Sequence, residues 1–182
     1  MEPRELLKRI LLEKSYKEGT FKLTSGKMSD FYIDCKQTTL SAEGAYLCGR
    51  LLYEMIREDS EITAVGGMTL GADPLVTAVS IVSYLERSPI PAFIIRKEPK
   101  GHGTGSWIEG KGNILLGSFV ALVEDVVTTG GTLIKAIERT QLEGYKVGAV
   151  LAVVDREEGG KQLLAEHGFE LKAIFTRSEL LS

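Results

Sequence analysis

The sequence predicts an α/β fold, a mostly parallel, doubly wound sheet flanked by helices, with an N-terminal hood. Three observations lead there. Short, near-continuous apolar runs recur from residue 62 onward, as in strands covered on both faces. They alternate with segments of helical periodicity, the pattern of successive βα units. The length of 182 residues, 43% of them hydrophobic, suits one compact domain with a sizeable core.

The elements follow in order. "MEPRELLKRILLEKSYKEG" is charged throughout and lacks a secretory apolar stretch. Its Leu6, Leu7, Ile10 and Leu11 fall at helical spacing and predict an amphipathic helix. In "FKLTSGKMSDFYID", residues 21–34, aromatic and β-branched residues flank a Ser-Gly turn, so a short hairpin is expected. Ser41 is placed as an N-cap, with Glu43 in the first turn of a helix over 42–58. That helix carries Leu47, Leu51, Leu52, Met55 and Ile56 on one face. The alternation then begins with "ITAVGGM" as a strand and "ADPLVTAVSIVSYLE" as a helix that tolerates Pro74 in its first turn. "PAFIIR" and "SFVALVEDV" are strands, and "TLIKAIERTQLEG" is a helix ending at Gly144. "KVGAVLAVVD" is a strand, "GGKQLLAEHG" a short helix and "ELKAIFT" the last strand. The expected organisation is a single domain over 1–182. The N-terminal helix and hood take 1–60, and the α/β core takes 61–182 with a mobile loop over 97–112.

Composition excludes several classes. A net charge of −3 argues against broad binding to nucleic acid. No run approaches 18 apolar residues, so no membrane span is expected. Cys35 and Cys48 lack C-x-x-C spacing and have too few histidine partners for a zinc site. They read as reduced thiols of a cytoplasmic protein.

The chemistry concentrates in "VEDVVTTGGT". Glu124 and Asp125 close an apolar run, and Thr128, Thr129, Gly130, Gly131 and Thr132 follow. In open α/β sheets, ligands sit outside the carboxyl ends of the strands. A helix beginning near Gly131 or Thr132 offers unpaired N–H groups and a dipole that favours an anion. The glycines let the backbone curl around a phosphate, and the threonines add hydroxyl donors. The chain has neither the Walker A pattern nor the G-x-G-x-x-G fingerprint. "GGT" alone fits an ordinary strand-to-helix turn equally well. The two carboxylates narrow the choice. An acid beside a phosphate repels it unless the acid has its own partner, such as a ribose diol, a magnesium ion or a developing cation. A ribose 5-phosphate meets every requirement.

A second stretch, "RKEPKGHGTGSWIEGKGN", residues 96–113, is a long glycine-containing loop between strands, the kind that often serves as a lid. Arg96 can grip a pyrophosphate with its planar fork, and Lys97 and Lys100 act as movable point charges. His102 could donate a hydrogen bond or a proton to a departing oxygen. On charge alone, the same loop also fits a merely solvated basic segment. Arg156, just past a strand end in "VVDREEGG", suits a ligand carboxylate or, equally, a salt bridge to Glu157 or Glu158.

"VALVEDVVTTGGT" resembles the ribose-5-phosphate signature of the type I phosphoribosyltransferases, which bind phosphoribosyl pyrophosphate. The loop resembles the catalytic loop of the orotate phosphoribosyltransferases within that family, with Arg96, Lys97, Glu98, Lys100, His102 and Gly103 matching. "FKLTSGKMSDFYID" is similar to their hood, through Ser25-Gly26, Ser29 and Phe31-Tyr32. The resemblance runs over roughly residues 20–177. It implies the type I phosphoribosyltransferase fold and transfer of a phosphoribosyl group to orotate, giving orotidine 5′-phosphate and pyrophosphate in the synthesis of UMP. Asp125, Lys100 and His102 are implied as catalytic. Arg96, Lys97, Lys100, His102, Glu124, Asp125, Val126, Val127, Thr128, Thr129, Gly130, Gly131 and Thr132 are implied to bind phosphoribosyl pyrophosphate. Thr128 and Arg156 are implied to bind orotate. Mg2+ is implied as cofactor, held mainly by substrate oxygens with no dedicated protein metal site. The implied assembly is a cytoplasmic homodimer that shares the mobile loop between subunits, with no nucleic-acid or membrane partner. Some relatives carry lysine at the positions of Thr24 and Leu70, where backbone groups around Thr69–Gly71 could substitute. The alternatives are a phosphoribosyltransferase for a purine, or a non-catalytic regulator that senses phosphoribosyl pyrophosphate. His167 reads as a helix C-terminal residue, Trp107 as a loop anchor and Cys48 as core.

Overall fold

A computed structural model of the chain describes residues 2–22, 28–99 and 105–182. A six-stranded sheet forms the core, in the order β5-β4-β3-β6-β7-β8. Its strands are β3 (Ile62–Met68), β4 (Ala92–Ile95), β5 (Ile108–Glu109), β6 (Phe119–Val127), β7 (Lys146–Asp155) and β8 (Leu171–Thr176). β5 runs antiparallel on the edge and every other pairing is parallel. Two apolar layers explain the continuous hydrophobic runs. On one face Val65, Val123, Leu151, Val153 and Phe175 pack with Leu7 and Leu11 of α1 (Pro3–Lys14), Leu47, Leu52 and Ile56 of α3 (Ala42–Ile56), and Leu75 and Val79 of α4 (Asp73–Leu85). On the other, Ala64, Val120, Leu122 and Val150 meet Leu133 and Ile137 of α5 (Gly131–Leu142) and Leu164 of α6 (Gly160–Glu166). Burying a leucine-sized side chain in such layers contributes roughly 1.5–3 kcal/mol before the cost of ordering it.

The hood is the antiparallel pair β1 (Tyr16–Lys22) and β2 (Met28–Ile33). Its turn, including Thr24 and Ser25-Gly26, lies outside the described residues. β1 starts at Tyr16, five residues before the expected hairpin, because the Tyr16 ring stacks on Phe31 of β2 at 6.0 Å. The Ser41 cap forms as expected, accepting a hydrogen bond from the Gly44 N–H at 3.2 Å. Two short helices escaped the sequence reading: α2 (Lys36–Thr39) and α7 (Arg177–Leu181). β5, inside the loop expected over 97–112, did too.

The topology locates the crevice. From β3 the chain winds to β4 on one side and later to β6 on the other. The strand order therefore reverses between β3 and β6, and ligands bind at the carboxyl ends of strands beside such a reversal.

Candidate active site

The ends of β3, β6 and β7 each supply one wall of the crevice. β6 ends in the sequence Glu124-Asp125-Val126-Val127, where both acids are buried. Thr128 is half-buried, and Thr129 and Thr132 are exposed at the rim. Gly130 takes φ +83°, a left-handed conformation that leads directly into α5. A Cβ at Gly130 would also lie 3.1 Å from the backbone of Gly160, so the loop packs tightly on α6. The Gly160 N–H reinforces this by donating to the Thr128 carbonyl at 3.0 Å. A Cβ at Gly131 would meet nothing within 4 Å, and no side chain caps the N-terminus of α5. The expected cradle is therefore curled, braced from behind and open in front.

Burial, reinforced by the neighbouring Asp125 charge, pushes the Glu124 carboxyl well above the usual carboxylate range. Its Oε2 is buried with no hydrogen-bond partner among the described residues. Asp125 accepts from the Val126 N–H at 2.9 Å. Its carboxylate also lies against the β3–α4 turn, where a Cβ on Gly71 would come within 2.5 Å of Oδ1. The ammonium of Lys36, at the start of α2, stands 3.8 Å from Asp125 Oδ2 and 2.8 Å from Asp34 Oδ1. The hydrogen bond to Asp34 raises the Lys36 pKa, against partial burial.

Arg156 follows β7 and is buried. Its N–H donates to the Val127 carbonyl at 2.9 Å, so the structure sets it beside Thr128 as expected. Its guanidinium lies 4.3 Å from the centre of the Phe31 ring in the hood, and Arg177 of α7 meets the same ring at 4.1 Å. The alternative salt bridge forms as well: Arg156 Nη2 is 2.7 Å from Glu158 Oε1.

The loop residues divide. Lys100 and His102 lie outside the described residues. Arg96 turns its guanidinium onto Glu109 Oε1 at 2.9 Å and the Glu98 carbonyl at 3.2 Å, and Lys97 is exposed. Arg96 is thus held against Glu109 of β5. The far end of the loop is tied to α5. Arg139 stacks on Trp107 at 4.2 Å and donates to the Arg96 carbonyl at 2.7 Å. Glu143, just past α5, accepts from Ser106 Oγ at 2.8 Å, the Trp107 N–H at 2.6 Å and Lys111 Nζ at 3.2 Å. Trp107 is the anchor its sequence position suggested.

Sequence reasoning missed Lys36, Asp34, Arg139 and Glu143. Only the first two left a trace, as a charged pair directly after the hood strand in "YIDCK".

The phosphoribosyl transferase domain family matches residues 37–171. An orotate phosphoribosyltransferase of Nostoc sp. is 48% identical over 94% of this chain and 82% of its own length. That of Aquifex aeolicus is 47% identical over 98% of this chain and 97% of its own. Among solved structures, the Mycobacterium tuberculosis orotate phosphoribosyltransferase in complex with 5-phospho-α-D-ribosyl 1-diphosphate superposes with a TM-score of 0.81. It is 31% identical and covers 100% of both chains. With the acids, the glycine cradle and the arginine beneath the hood already in place, these likenesses settle the assignment: the chain belongs to the orotate phosphoribosyltransferase family.

Proposed function

We propose that the chain transfers the phosphoribosyl group of phosphoribosyl pyrophosphate to orotate, with its roles divided among the three strand ends. The observation that carries this is the joining of two buried carboxylates to an open, glycine-curled helix N-terminus. The 5-phosphate sits in the curl of Val126–Thr132, where α5 amides and threonine hydroxyls donate to it. The ribose diol lies on Glu124 and Asp125. Burial favours the neutral form of Glu124, whose carboxyl can then donate as well as accept. Orotate enters between the hood and Arg156, whose guanidinium exchanges Glu158 for the substrate carboxylate, with Thr128 alongside.

In the reaction, a carbon–nitrogen bond forms at the anomeric carbon as the carbon–oxygen bond to diphosphate breaks. Positive charge spreads over the ribose, and Asp125 faces it. Preorganised charge of this kind is the largest single source of rate in many enzymes. The loop that carries Arg96, Lys97, Lys100 and His102 closes over the diphosphate. His102 donates to the departing oxygen, and Arg96 gives up Glu109 to reach the anion.

The carboxylates fit a magnesium ion whose remaining ligands are substrate oxygens. The unpartnered Oε2 of Glu124 is available beside Asp125. Among the described residues, no group of three or more His, Cys, Asp or Glu could hold a metal. When bound, magnesium neutralises diphosphate charge. A homodimer completes the site, each loop reaching the partner's crevice, and the enzyme works in the cytoplasm. Among the described residues, no helix is long and apolar enough to cross a membrane.

The test is direct. The chain is mixed with orotate, phosphoribosyl pyrophosphate and magnesium, and the loss of orotate absorbance is followed. Adenine, guanine and hypoxanthine run in parallel. Consumption of orotate alone is expected. Turnover of a purine instead would move the chain to another branch.

A further inference from the structure

Lys36 belongs to none of the motifs that identify the family, yet it stands at the site's charged centre. Its backbone position is fixed. Cys35 before it and Thr38 and Thr39 after it are buried, and the Lys36 N–H donates to Asp34 Oδ1 at 3.2 Å. The side chain remains 39% exposed and lines a cavity of about 540 Å³ together with Leu70 and Asp73. Asp73 lines that otherwise largely apolar cavity, its Oδ2 accepting from the Thr69 hydroxyl at 2.7 Å, while Asp34 and Asp125 hold the ammonium at 2.8 and 3.8 Å. A polyanion approaching these acids meets repulsion unless a cation is present. Leu70, exposed at the tip of the β3–α4 turn, offers none.

The sheet order decides which ligand enters. Once the 5-phosphate lies on α5 and the diol on β6, the anomeric carbon has two substituents to place, the base and the diphosphate. β7 flanks β6 on one side and delivers Arg156 and the hood. β3 flanks it on the other and delivers the Gly71 turn, against which Asp125 and Lys36 stand. The base goes with Arg156, which leaves the diphosphate on the Lys36 side.

We propose that Lys36 is a diphosphate-binding and catalytic residue of this enzyme, supplied by the same subunit as the phosphate cradle. This rests on the phosphoribosyl-transfer reading above. With substrate bound, the ammonium leaves its place between Asp34 and Asp125 and contacts diphosphate oxygens. As the carbon–oxygen bond breaks, it offsets the negative charge that collects on the leaving group. As a compact point charge on a flexible stem, lysine suits this change of partner.

The test uses the full chain carrying Lys36→Met and Lys36→Arg. Calorimetry with inorganic pyrophosphate and magnesium, calorimetry with ribose 5-phosphate, and steady-state kinetics are compared with the parent. Lys36→Met is expected to weaken pyrophosphate binding by about tenfold and to lower kcat by about ten- to a hundredfold. Ribose 5-phosphate affinity and the KM for orotate should stay within about twofold, and Lys36→Arg should restore most of the loss. Unchanged pyrophosphate affinity in Lys36→Met would overturn the assignment. So would a parallel fall in ribose 5-phosphate affinity that arginine does not rescue, because Lys36 would then only be holding Asp125 in place. Should the parent fail to consume orotate, the substrate reading falls by itself, and the pyrophosphate titration still decides the role of Lys36.

Discussion

Glu124 and Asp125 are neighbours in the sequence with opposite assignments. In the proposed mechanism Asp125 faces the ribose as positive charge develops there, so Asp125→Asn is expected to slow turnover by the equivalent of roughly 2–4 kcal/mol. Full kcat in that variant would remove it from the mechanism. Glu124 is raised by burial first and then by the Asp125 charge. A group whose pKa is higher folded than unfolded stabilises the fold fully below its unfolded value, and that contribution is lost as pH rises toward the folded value. Glu124 therefore gives the parent a stability that declines with pH above the ordinary glutamate range, with a slope of at most about 1.4 kcal/mol per pH unit. Glu124→Gln keeps the neutral shape and should flatten that slope, leaving the variant more stable than the parent at neutral pH. Urea unfolding of both proteins at several pH values from 5 to 8 checks it, and identical slopes would mean that Glu124 ionises normally. Both acids were legible in the sequence because they interrupt an apolar run just before glycines. The upward shift of the Glu124 carboxyl was not, since it depends on tertiary burial and on the charge placed beside it.

Helix α5 acts at both ends. Its first turn opens onto the cradle, and its last turn, with Glu143, clamps the base of the catalytic loop through Arg139, Trp107 and Ser106. On the proposed function, closure of the loop would be referred to the helix that receives the substrate phosphate. Glu143→Ala removes three hydrogen-bond acceptances at once and leaves the Trp107 amide without its acceptor, while the Ser106 hydroxyl keeps the Ile108 carbonyl at 3.2 Å. A loss of about 1–3 kcal/mol in stability is expected. A fall in kcat should accompany it while ribose 5-phosphate binding holds. If kcat stays at the parental level, the clamp does not govern the loop. Elements of this size show how far the sequence could be read. β3 and β7 appear at their expected bounds because most of β3 and the last six residues of β7 are buried, which shows in the sequence as apolar runs. α2 is four residues long, too short to display a period, and it is held by the buried Ser15–Thr38 hydroxyl pair, distant in sequence. β5 has two residues and exists through its pairing with β4 and the Glu143 clamp. α7 was within reach: "TRSE" is a capping box, and Thr176 and Glu179 make both of its hydrogen bonds.

Across the whole molecule, exposed apolar side chains gather on the face of α2, α3 and α4. Leu40, Leu70 and Ile81 line the same cavity as Lys36, and Tyr84 and Leu85 continue the face along α4. An apolar surface running into the cavity beside Lys36 suits a subunit interface better than water. The homodimer read from the family likeness would cover it and set one subunit's loop over its partner's acids. That arrangement separates from a site completed within one chain by subunit mixing. Lys100→Ala disables the loop and Asp125→Asn disables the acids, so each homodimer has two defective sites. After equal mixing and exchange, half of the dimers are hybrids. If the loop crosses over, each hybrid pairs an intact loop with intact acids at one of its two sites, and the mixture recovers about a quarter of parental activity. If each loop serves its own subunit, every site in the mixture keeps one defect and activity stays at the level of the separate variants. A companion variant, Ile81→Glu with Tyr84→Glu, places two charges on the face where a partner would lie. It should give a folded monomer by sedimentation that still binds ribose 5-phosphate yet has lost at least about tenfold in kcat. Dimers that survive both charges would show that the interface lies elsewhere on the molecule, even if mixing restores activity.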